Sequence, residues 1–500
     1  MKKGCLIVLL MIMQTGYATA QSAYYKEYNH DLNLAIPADF SDCEEVHDGY
    51  LFCGVVSKTN NLGEDALLSK TDKSGDLIFR KFFNTYYHSR FDQLIDVSDG
   101  VIISGYTADQ GIDRKKKTNW KFSYDGEMIW EKRYGDTTHV LFDNSVRDLC
   151  RLSDGFVVFA SGFGGEETST DAELIRFNLD GDVLWTSSFS NEQGAITNDV
   201  ILQGKADKDG GFVFLMESNF PTPGYMEYFI IKTNSNGQEL WRKEMTNYPV
   251  PLEMAVPYYF NNAYCVAPYK ENHYMVVVCA ESEYYESEKT FLVELDENGN
   301  QVAISEYLQG VYIDPQEIYI MEDNSIYVFG QGAGATTFDL YVFKVDPAGN
   351  FEWQGQYSSI HSIMQAAGIA TSDGGVLIMG TRMRWETPAN LGLNHCVAKT
   401  DCKGNLSWDN TSCLLPSDEE MLVFPNPVSD QLIIQLPGLS PDAEIEFRIY
   451  NATGQIVAYK KISDTQIITS ELGNLSHGVY FFSIASNDNH NYKGKFIKAE

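Results

Sequence analysis

Lys232-Thr-Asn-Ser-Asn-Gly237-Gln-Glu-Leu-Trp241 is the stretch on which the reading of this chain turns. Its core, Asn234-Ser-Asn-Gly237, separates two apolar runs. A polar Asx residue first and a glycine fourth is the preference of a type I turn followed by a left-handed residue, which closes a bulged hairpin. Six other copies occur: Asp72-Lys-Ser-Gly75, Ser123-Tyr-Asp-Gly126, Asn178-Leu-Asp-Gly181, Asp296-Glu-Asn-Gly299, Asp346-Pro-Ala-Gly349 and Asp401-Cys-Lys-Gly404. Pro347 falls at the second turn position, where its fixed φ is wanted. Four residues after the glycine stands Phe79, Trp130, Trp185, Trp241, Trp353 or Trp408, with Ala303 the exception. An aromatic residue at a fixed place in a strand packs between sheets. Five residues before the glycine stands Lys70, Lys121, Arg176, Lys232, Lys344 or Lys399, with Glu294 as the outlier. A basic residue alternating with apolar neighbours is expected on the solvated face of its strand.

The turn glycines recur roughly every 55 residues, a period that belongs to repeat architectures. Each period carries a second turn, marked by Gly49, Gly100, Gly155, Gly210-Gly211, Asn272, Asn324 and Gly374-Gly375, with an apolar strand after it. Four strands per repeat is the content of one propeller blade. No stretch has a sustained helical period with caps. The expected fold is therefore all-β: a seven-bladed β-propeller over residues 21–410, a linker at 411–421, and a small immunoglobulin-like β-sandwich over 422–500. A closed ring removes the exposed edges an open array would leave. Ala23-Tyr-Tyr-Lys-Glu-Tyr28 resembles the outer strand of other repeats, and is expected to join the last blade or to stand beside Leu406-Ser-Trp408.

The formal charge of −32 argues against nucleic acid or an anionic membrane as partner, since both would repel it. It favours a soluble monomer. Lys2 and Lys3, the apolar run Leu6–Met13 and Ala18-Thr-Ala20 read as a signal peptide over residues 1–20, cleaved between Ala20 and Gln21. That run is too short to serve as a transmembrane anchor, and no later segment is long and apolar enough. In an oxidising compartment disulfides persist. Cys43 with Cys53, centred on Asp48, and Cys265 with Cys279, centred on Asn272, are expected to bridge across hairpins. For Cys150, Cys396, Cys402 and Cys413, one bridge plus buried thiols and two bridges both fit. No CxxC or HxxxH offers zinc spacing, and neither a metal nor a cofactor is expected. Asp296-Glu-Asn-Gly-Asn300 and Asn178-Leu-Asp-Gly-Asp182 carry oxygen ligands at alternating positions, but the turn itself demands the same residues.

The repeats resemble a secreted bacterial seven-bladed propeller family with the pattern Lys-x-Asp-x-x-Gly-x-x-x-Trp, over residues 23–410. That resemblance is specific for fold and says little about function. Past the linker, Phe424-Pro425-Asn426-Pro427, the turn Tyr450-Asn-Ala-Thr-Gly454, Leu475-x-x-Gly478-Val-Tyr480 and a basic last strand follow in order to the C-terminus. Together they resemble the type A sorting domain of proteins exported by the type IX secretion system of Bacteroidetes. The resemblance implies Sec export, passage through the periplasm and translocation across the outer membrane. It also implies the secretion machinery and its sortase as partners, removal of the domain, and a location outside the cell or on its surface.

Propeller ligands sit over the central channel, on the face formed by loops entering each blade and loops joining its second and third strands. Tyr284 and Tyr285 in the acidic stretch 281–289, and Arg382, Arg384 and Trp385 in the stretch 382–394, are the candidate ligand-binding residues, because aromatic and arginine side chains on loops anchor recognition. No catalytic residue is assigned. The repeat is longer on both sides of its turn than the Asp box of sialidases, there is no vicinal cysteine pair of the quinone-dehydrogenase kind, and neither a G-x-S-x-G elbow nor an HExxH helix occurs. His88, His139, His361 and His395 read as surface histidines in or near loops. The expected function is a binding or adhesion module for glycan or protein. The alternative is a secreted carbohydrate-active enzyme, a hydrolase or lyase, with paired carboxylates at the channel mouth.

Overall fold

The computed structural model describes residues 23–498 apart from the stretches 29–37, 58–62, 110–114, 135–145, 164–169, 192–196, 220–225, 246–257, 283–287, 308–312, 334–337, 358–362, 388–389, 407–421, 425–427, 429–430, 436–443, 452–454, 464–466, 473–474 and 488–490. The expected signal peptide and its cleavage point at Ala20 and Gln21 lie outside the described residues. The chain divides into two compact units, 1–409 and 410–500.

In the first unit every described element is a strand, and the strands sort into seven four-stranded antiparallel units in chain order. The innermost strands are Ala38–Val46, His88–Val97, Val146–Leu152, Asn198–Ala206, Tyr258–Tyr269, Ile313–Ile320 and Ile363–Ala370. Each touches the next, and the last touches the first, so the array is a closed propeller. Each blade is a meander whose second and third strands are nearly wholly buried, as in Gly100–Ala108. The apolar cores lie between neighbouring blades. One such core combines Val213, Leu215 and Ile230 of one blade with Val266, Val276 and Phe291 of the next.

All seven turn glycines adopt the left-handed conformation expected of them, with φ between 72° and 85°. Each amide donates to the carbonyl of the first turn residue, as Gly75 does to Asp72 at 3.0 Å. The side chain of that residue has its own task. Asp296 Oδ1 accepts the Asn298 and Asn300 amides at 2.9 and 2.8 Å, and Oδ2 accepts the Asn300 amide group at 3.1 Å. These hydrogen bonds hold its carboxyl below the usual carboxylate range. The oxygens that alternate along Asp296-Glu-Asn-Gly-Asn300 therefore serve the turn itself.

The recurrent aromatic does pack between blades, and its seat is the next blade's turn glycine. A Cβ on Gly181 would lie 2.7 Å from Trp130, on Gly237 2.5 Å from Trp185, on Gly299 2.9 Å from Trp241, and on Gly404 2.6 Å from Trp353. Phe79 covers Gly126 in the same way. The series has one gap: Gly349 follows Ala303 and has nothing within 4 Å.

Ring closure follows one of the two expectations for the N-terminus. Tyr24–Tyr28 pairs antiparallel with Asn390–Lys399, from Tyr24 opposite Lys399 to Tyr28 opposite His395, and completes the last blade as its fourth strand. Tyr24 lies on Gly75 at 2.4 Å from a Cβ there, doing for the first blade what the tryptophans do elsewhere. Tyr28 Oη donates to the Gly75 carbonyl at 2.8 Å. Glu45 of the first blade also accepts from the Ser372 amide and hydroxyl of the last, at 2.6 and 2.8 Å.

The basic residues before the turns are not on a solvated face. Lys70, Arg176, Lys232 and Lys399 are buried, and each reaches back to an acid of its blade's other turn. Lys70 meets Asp48 at 2.8 Å, Lys121 meets Asp99 at 2.7 Å, Lys232 meets Asp209 at 2.8 Å and Lys399 meets Asp373 at 2.8 Å, while Arg176 pairs with Asp154. In the outlier blade the polarity is reversed, with Glu294 held by Lys270 at 3.3 Å and His273 at 2.5 Å. Buried charges need such partners, so each pair fixes how the two hairpins of a blade meet.

The two disulfides expected across hairpins do not form, and register is the reason. The first hairpin turns about His47 and Asp48 together, so Cys43 faces Phe52 and Cys53 faces Asp42. A one-residue offset sends adjacent positions to opposite sides of a sheet. Cys43 accordingly packs with Tyr24 and Phe40, and Cys53 with Phe91 and Trp120. In the other hairpin Cys265 faces Val277 because the turn centres on Glu271 and not on Asn272, and Cys279 faces Asn262 beyond a bulge between Ala263 and Cys265. Cys43, Cys53 and Cys265 are buried free thiols. Cys413 lies outside the described residues.

The second unit is all-β, with one sheet built from Leu422–Phe424, Gln431–Gln435 and Ile467–Glu471. The other joins Glu444–Tyr450, Ile456–Ser463, Gly478–Ser486 and Asn491–Lys498. Its core gathers Leu432, Ile434, Phe447, Ile449, Tyr480, Phe482 and Phe496. Among the described residues no helix is long and apolar enough to cross a membrane.

Three outcomes follow from the ring. Deleting residues 21–30 should lower the melting temperature sharply, and an unchanged midpoint would show that the N-terminal strand does not fasten the propeller. Trp241→Ala should cost roughly 2 kcal/mol in denaturant unfolding, below the range for a fully buried tryptophan because this ring is only partly covered. Ala303→Trp, facing the bare Gly349, should instead be neutral or stabilising by up to about 1 kcal/mol.

Candidate functional site

The seven innermost strands share a feature that no residue pattern announces. Each is interrupted by an irregularity of register partway along: between Phe40 and Asp42, Phe91 and Gln93, Val146 and Asp148, Ile201 and Gln203, Ala263 and Cys265, Pro315 and Glu317, and Met364 and Ala367. A bulge leaves an extra residue unpaired and re-aims it. Five of the skipped residues, Ser41, Asp92, Arg147, Leu202 and Gln316, line a single cavity of about 390 Å3 within the ring. Phe40, Val146 and Ala367 supply apolar wall, and Arg90, Tyr106 and Lys115 complete it.

The residues at or just past the bulges tie the ring together. Asp42 accepts the Leu94 amide of the next blade at 2.9 Å and its neighbour Cys43 at 2.8 Å. Asp148 repeats this with Gly204 at 3.4 Å and Leu149 at 2.8 Å. Gln203 accepts the Val266 amide at 2.9 Å, and Asp92 accepts Val146 at 3.4 Å while binding Arg90 at 2.7 Å. One tie crosses between blades that are not neighbours: Lys205 Nζ donates to Asp148 at 2.9 Å and to Glu317 at 2.8 Å, and Gln203 donates to Glu317 at 2.7 Å.

Enclosure weakens the acidity of these carboxyls. Burial pushes Asp42 and Glu44 up to about 8, against partial relief from the amides they accept. Glu317 is raised to about 7, because burial and the Asp148 charge outweigh Lys205. Burial opposes the charge on Lys205, but Asp148 and Glu317 overcome it and hold the amine well above the ordinary lysine range.

The sequence-derived candidates fall unevenly on this geometry. Arg382, Arg384 and Trp385 are strand residues, not loop residues. They belong to Val376–Thr387 and pair with Asn394, Gly392 and Leu391. Beyond Arg382, which also pairs with Ile363, this hairpin runs past the described start of its innermost strand. Tyr284 and Tyr285 lie outside the described residues, as do His139 and His361. His395 is not a surface histidine: it is fully buried and stacked on Phe40 with ring centroids 3.5 Å apart. His88 lies 3.5 Å from Glu64. The cavity residues escaped notice because the bulge positions carry Ser, Asp, Arg, Leu and Gln, which share no chemistry; the recurring irregularity is their only common mark.

In the C-terminal unit Tyr480 stacks on Phe496 at 5.5 Å and donates to the Ser476 carbonyl at 2.8 Å. Gly478 opens that strand and is exposed, and Phe424 pairs with Ile433. Pro425, Asn426, Pro427 and Gly454 lie outside the described residues.

A closed propeller with a separate β module at its C-terminus is the class these observations define. Residues 422–499 belong to the secretion system C-terminal sorting domain family, so the second unit is a type IX secretion sorting domain and the protein is delivered to the cell surface or beyond it. Ulvan lyase NLR42 of Nonlabens ulvanivorans is 30% identical over 94 residues, which is 18% of this chain and 17% of that protein. The chain therefore matches about a sixth of the length of that relative. Among solved structures, polysaccharide lyase Uly1 is 10% identical with a TM-score of 0.45, covering 78% of this chain and 94% of its own. The propeller domain of the Trilobed protease from Pyrococcus furiosus is 11% identical with a TM-score of 0.41, covering 76% and 98%. PorZ, a surface component of the type IX secretion system of Porphyromonas gingivalis, is 11% identical with a TM-score of 0.25, covering 92% and 81%. Likeness at this level carries no statement about activity.

The raised carboxyls make a pH dependence. Asp42, Glu44 and Glu317 hold protons in the folded state that the unfolded chain releases near pH 4, so their contribution is complete below that pH and is lost as pH rises through 7 to 8. The melting temperature should fall between pH 5 and pH 9, and Glu44→Gln should flatten that fall. A midpoint that climbs with pH across this window would contradict the assignment.

Proposed function

We propose that this protein is an exported binding or adhesion module whose propeller presents a ligand site at the mouth of its channel, for a glycan or a protein surface. The observation that carries the reading is the division of labour inside the ring. The acids of the channel wall are engaged in holding strands, as Asp42, Asp148 and Glu317 are, while the bulge residues around the cavity are chemically varied. Recognition needs varied side chains on a rigid frame, and a propeller supplies the frame. Arg382, Arg384 and Trp385, with Tyr284 and Tyr285, are the further residues proposed to contact the ligand. Export begins with cleavage between Ala20 and Gln21, and a sortase removes the C-terminal domain.

A second reading, a carbohydrate-active hydrolase or lyase, has one observation in its favour. Glu317, with its carboxyl near 7, lines the same cavity as Asp92, and a group titrating there can move a proton. Against it, Glu317 is bound by Lys205 and Gln203, and Asp92 by Arg90.

A glycan array on the secreted protein, run beside a degradation screen on polysaccharides, separates the two. Binding without product, weakened several-fold by Trp385→Ala, is the expected result. Reproducible release of unsaturated or reducing ends would overturn the binding reading in favour of the enzyme.

A further inference from the structure

The cavity inverts the sign of the molecule that holds it. The chain carries 69 acidic and 37 basic residues, yet the lining of this one pocket includes Arg90, Lys115 and Arg147 against Asp92 and Glu317. Those two acids are the ones already drawn off: Asp92 sits 2.7 Å from Arg90, and Glu317 accepts from Lys205 and Gln203. The raised carboxyl of Glu317 reduces the negative charge further near neutrality. Arg147 is exposed at its bulge, with Asp92 and Glu217 as its acidic neighbours, and Lys115 lies over the Tyr106 ring at 4.2 Å from its centroid. Positive groups in a concave, partly apolar site focus their field more strongly than the same charges on a flat surface.

The rest of the lining is suited to hydroxyl groups. Gln93 and Gln316 bring amide side chains, Ser41 brings a hydroxyl, and Tyr106 and Phe40 bring aromatic rings. Amides both donate and accept, which fits sugar hydroxyls better than a bare inorganic anion. At about 390 Å3 the cavity falls within the range of small-ligand sites, roughly 300–1,000 Å3.

We infer that the channel cavity is a binding subsite for an anionic sugar unit, whose carboxylate or sulfate is met by Arg147 and Lys115 while its hydroxyls are met by Gln93, Gln316 and Ser41. This rests on the channel-mouth reading above and names the ligand class for it. A long anionic chain approaching a protein of charge −32 meets repulsion nearly everywhere else, so the pocket also selects where such a chain can dock.

The test is calorimetric titration of the secreted protein with three probes: a galacturonate tetramer bearing only carboxylates, a carrageenan tetramer bearing only sulfates, and neutral cellotetraose. At least one charged probe should bind ten-fold or more tighter than cellotetraose, and which one does so identifies the anion. Arg147→Gln and Lys115→Gln should each weaken that binding about five-fold or more, with melting temperature unchanged, and raising salt should weaken it further. Cellotetraose binding as well as the charged probes, with Phe40→Ala or Gln316→Ala reducing all three, would overturn the anionic assignment and leave the channel-mouth site standing. Saccharide binding indifferent to every cavity substitution would overturn both the subsite and its channel-mouth placement. No binding of any saccharide would overturn the subsite and leave a protein surface as the ligand of the channel mouth.

Discussion

An aromatic ring laid on a glycine with no room for a Cβ is the contact on which the propeller depends. The glycine must be left-handed to close its hairpin, and it must be bare because Trp130, Trp185, Trp241 or Trp353 from the preceding blade occupies the space. One residue therefore satisfies two requirements, one local and one between blades. A substitution there would open the hairpin and displace the neighbour at once. The same contact explains closure: the first blade has no predecessor in the chain, and Tyr24 from the N-terminal strand takes that place over Gly75.

Within six of the seven blades a second restraint runs from one hairpin turn to the other, Lys344 pairing instead with Glu352. The buried base before one turn reaches the acid of the other, and in the blade with Glu294 the two charges have exchanged places while the pair is kept. Reversal of sign with conservation of geometry points to the pairing, not the charge at either end, as what the blade requires. Aromatic seats between blades and ion pairs within them leave the innermost strands free to deviate. They do so at one level in all seven, and that deviation makes the cavity.

Much of the fold was legible because it rests on local chemistry repeated at a fixed interval. The seven turns, the four strands per blade and the inter-blade aromatics followed from residue type and spacing, and the closing strand at Tyr24 took one of the two places they allowed. The C-terminal domain was legible for a different reason, as a set of motifs in a fixed order, and it tells where the protein is sent. The basic residues before the turns were misjudged: alternation places a side chain on one face of a strand, but whether that face is wet depends on the neighbouring blade. The cysteine pairs failed on a single residue of register, since Cys43 and Cys53 are equidistant from Asp48 in sequence while the hairpin pivots on His47 and Asp48 together.

The sequence by itself determined the architecture and the destination, because turn formation, strand alternation and a C-terminal sorting domain each depend on residues close together in the chain. Only the tertiary structure decided the candidate site. Ser41, Asp92, Arg147, Leu202 and Gln316 come from five separate blades, and what gathers them is a bulge common to strands of unlike sequence, set by the pairing of each strand with its neighbour. Where function is carried by the irregular residue of a regular repeat, the repeat hides it until the strands are paired.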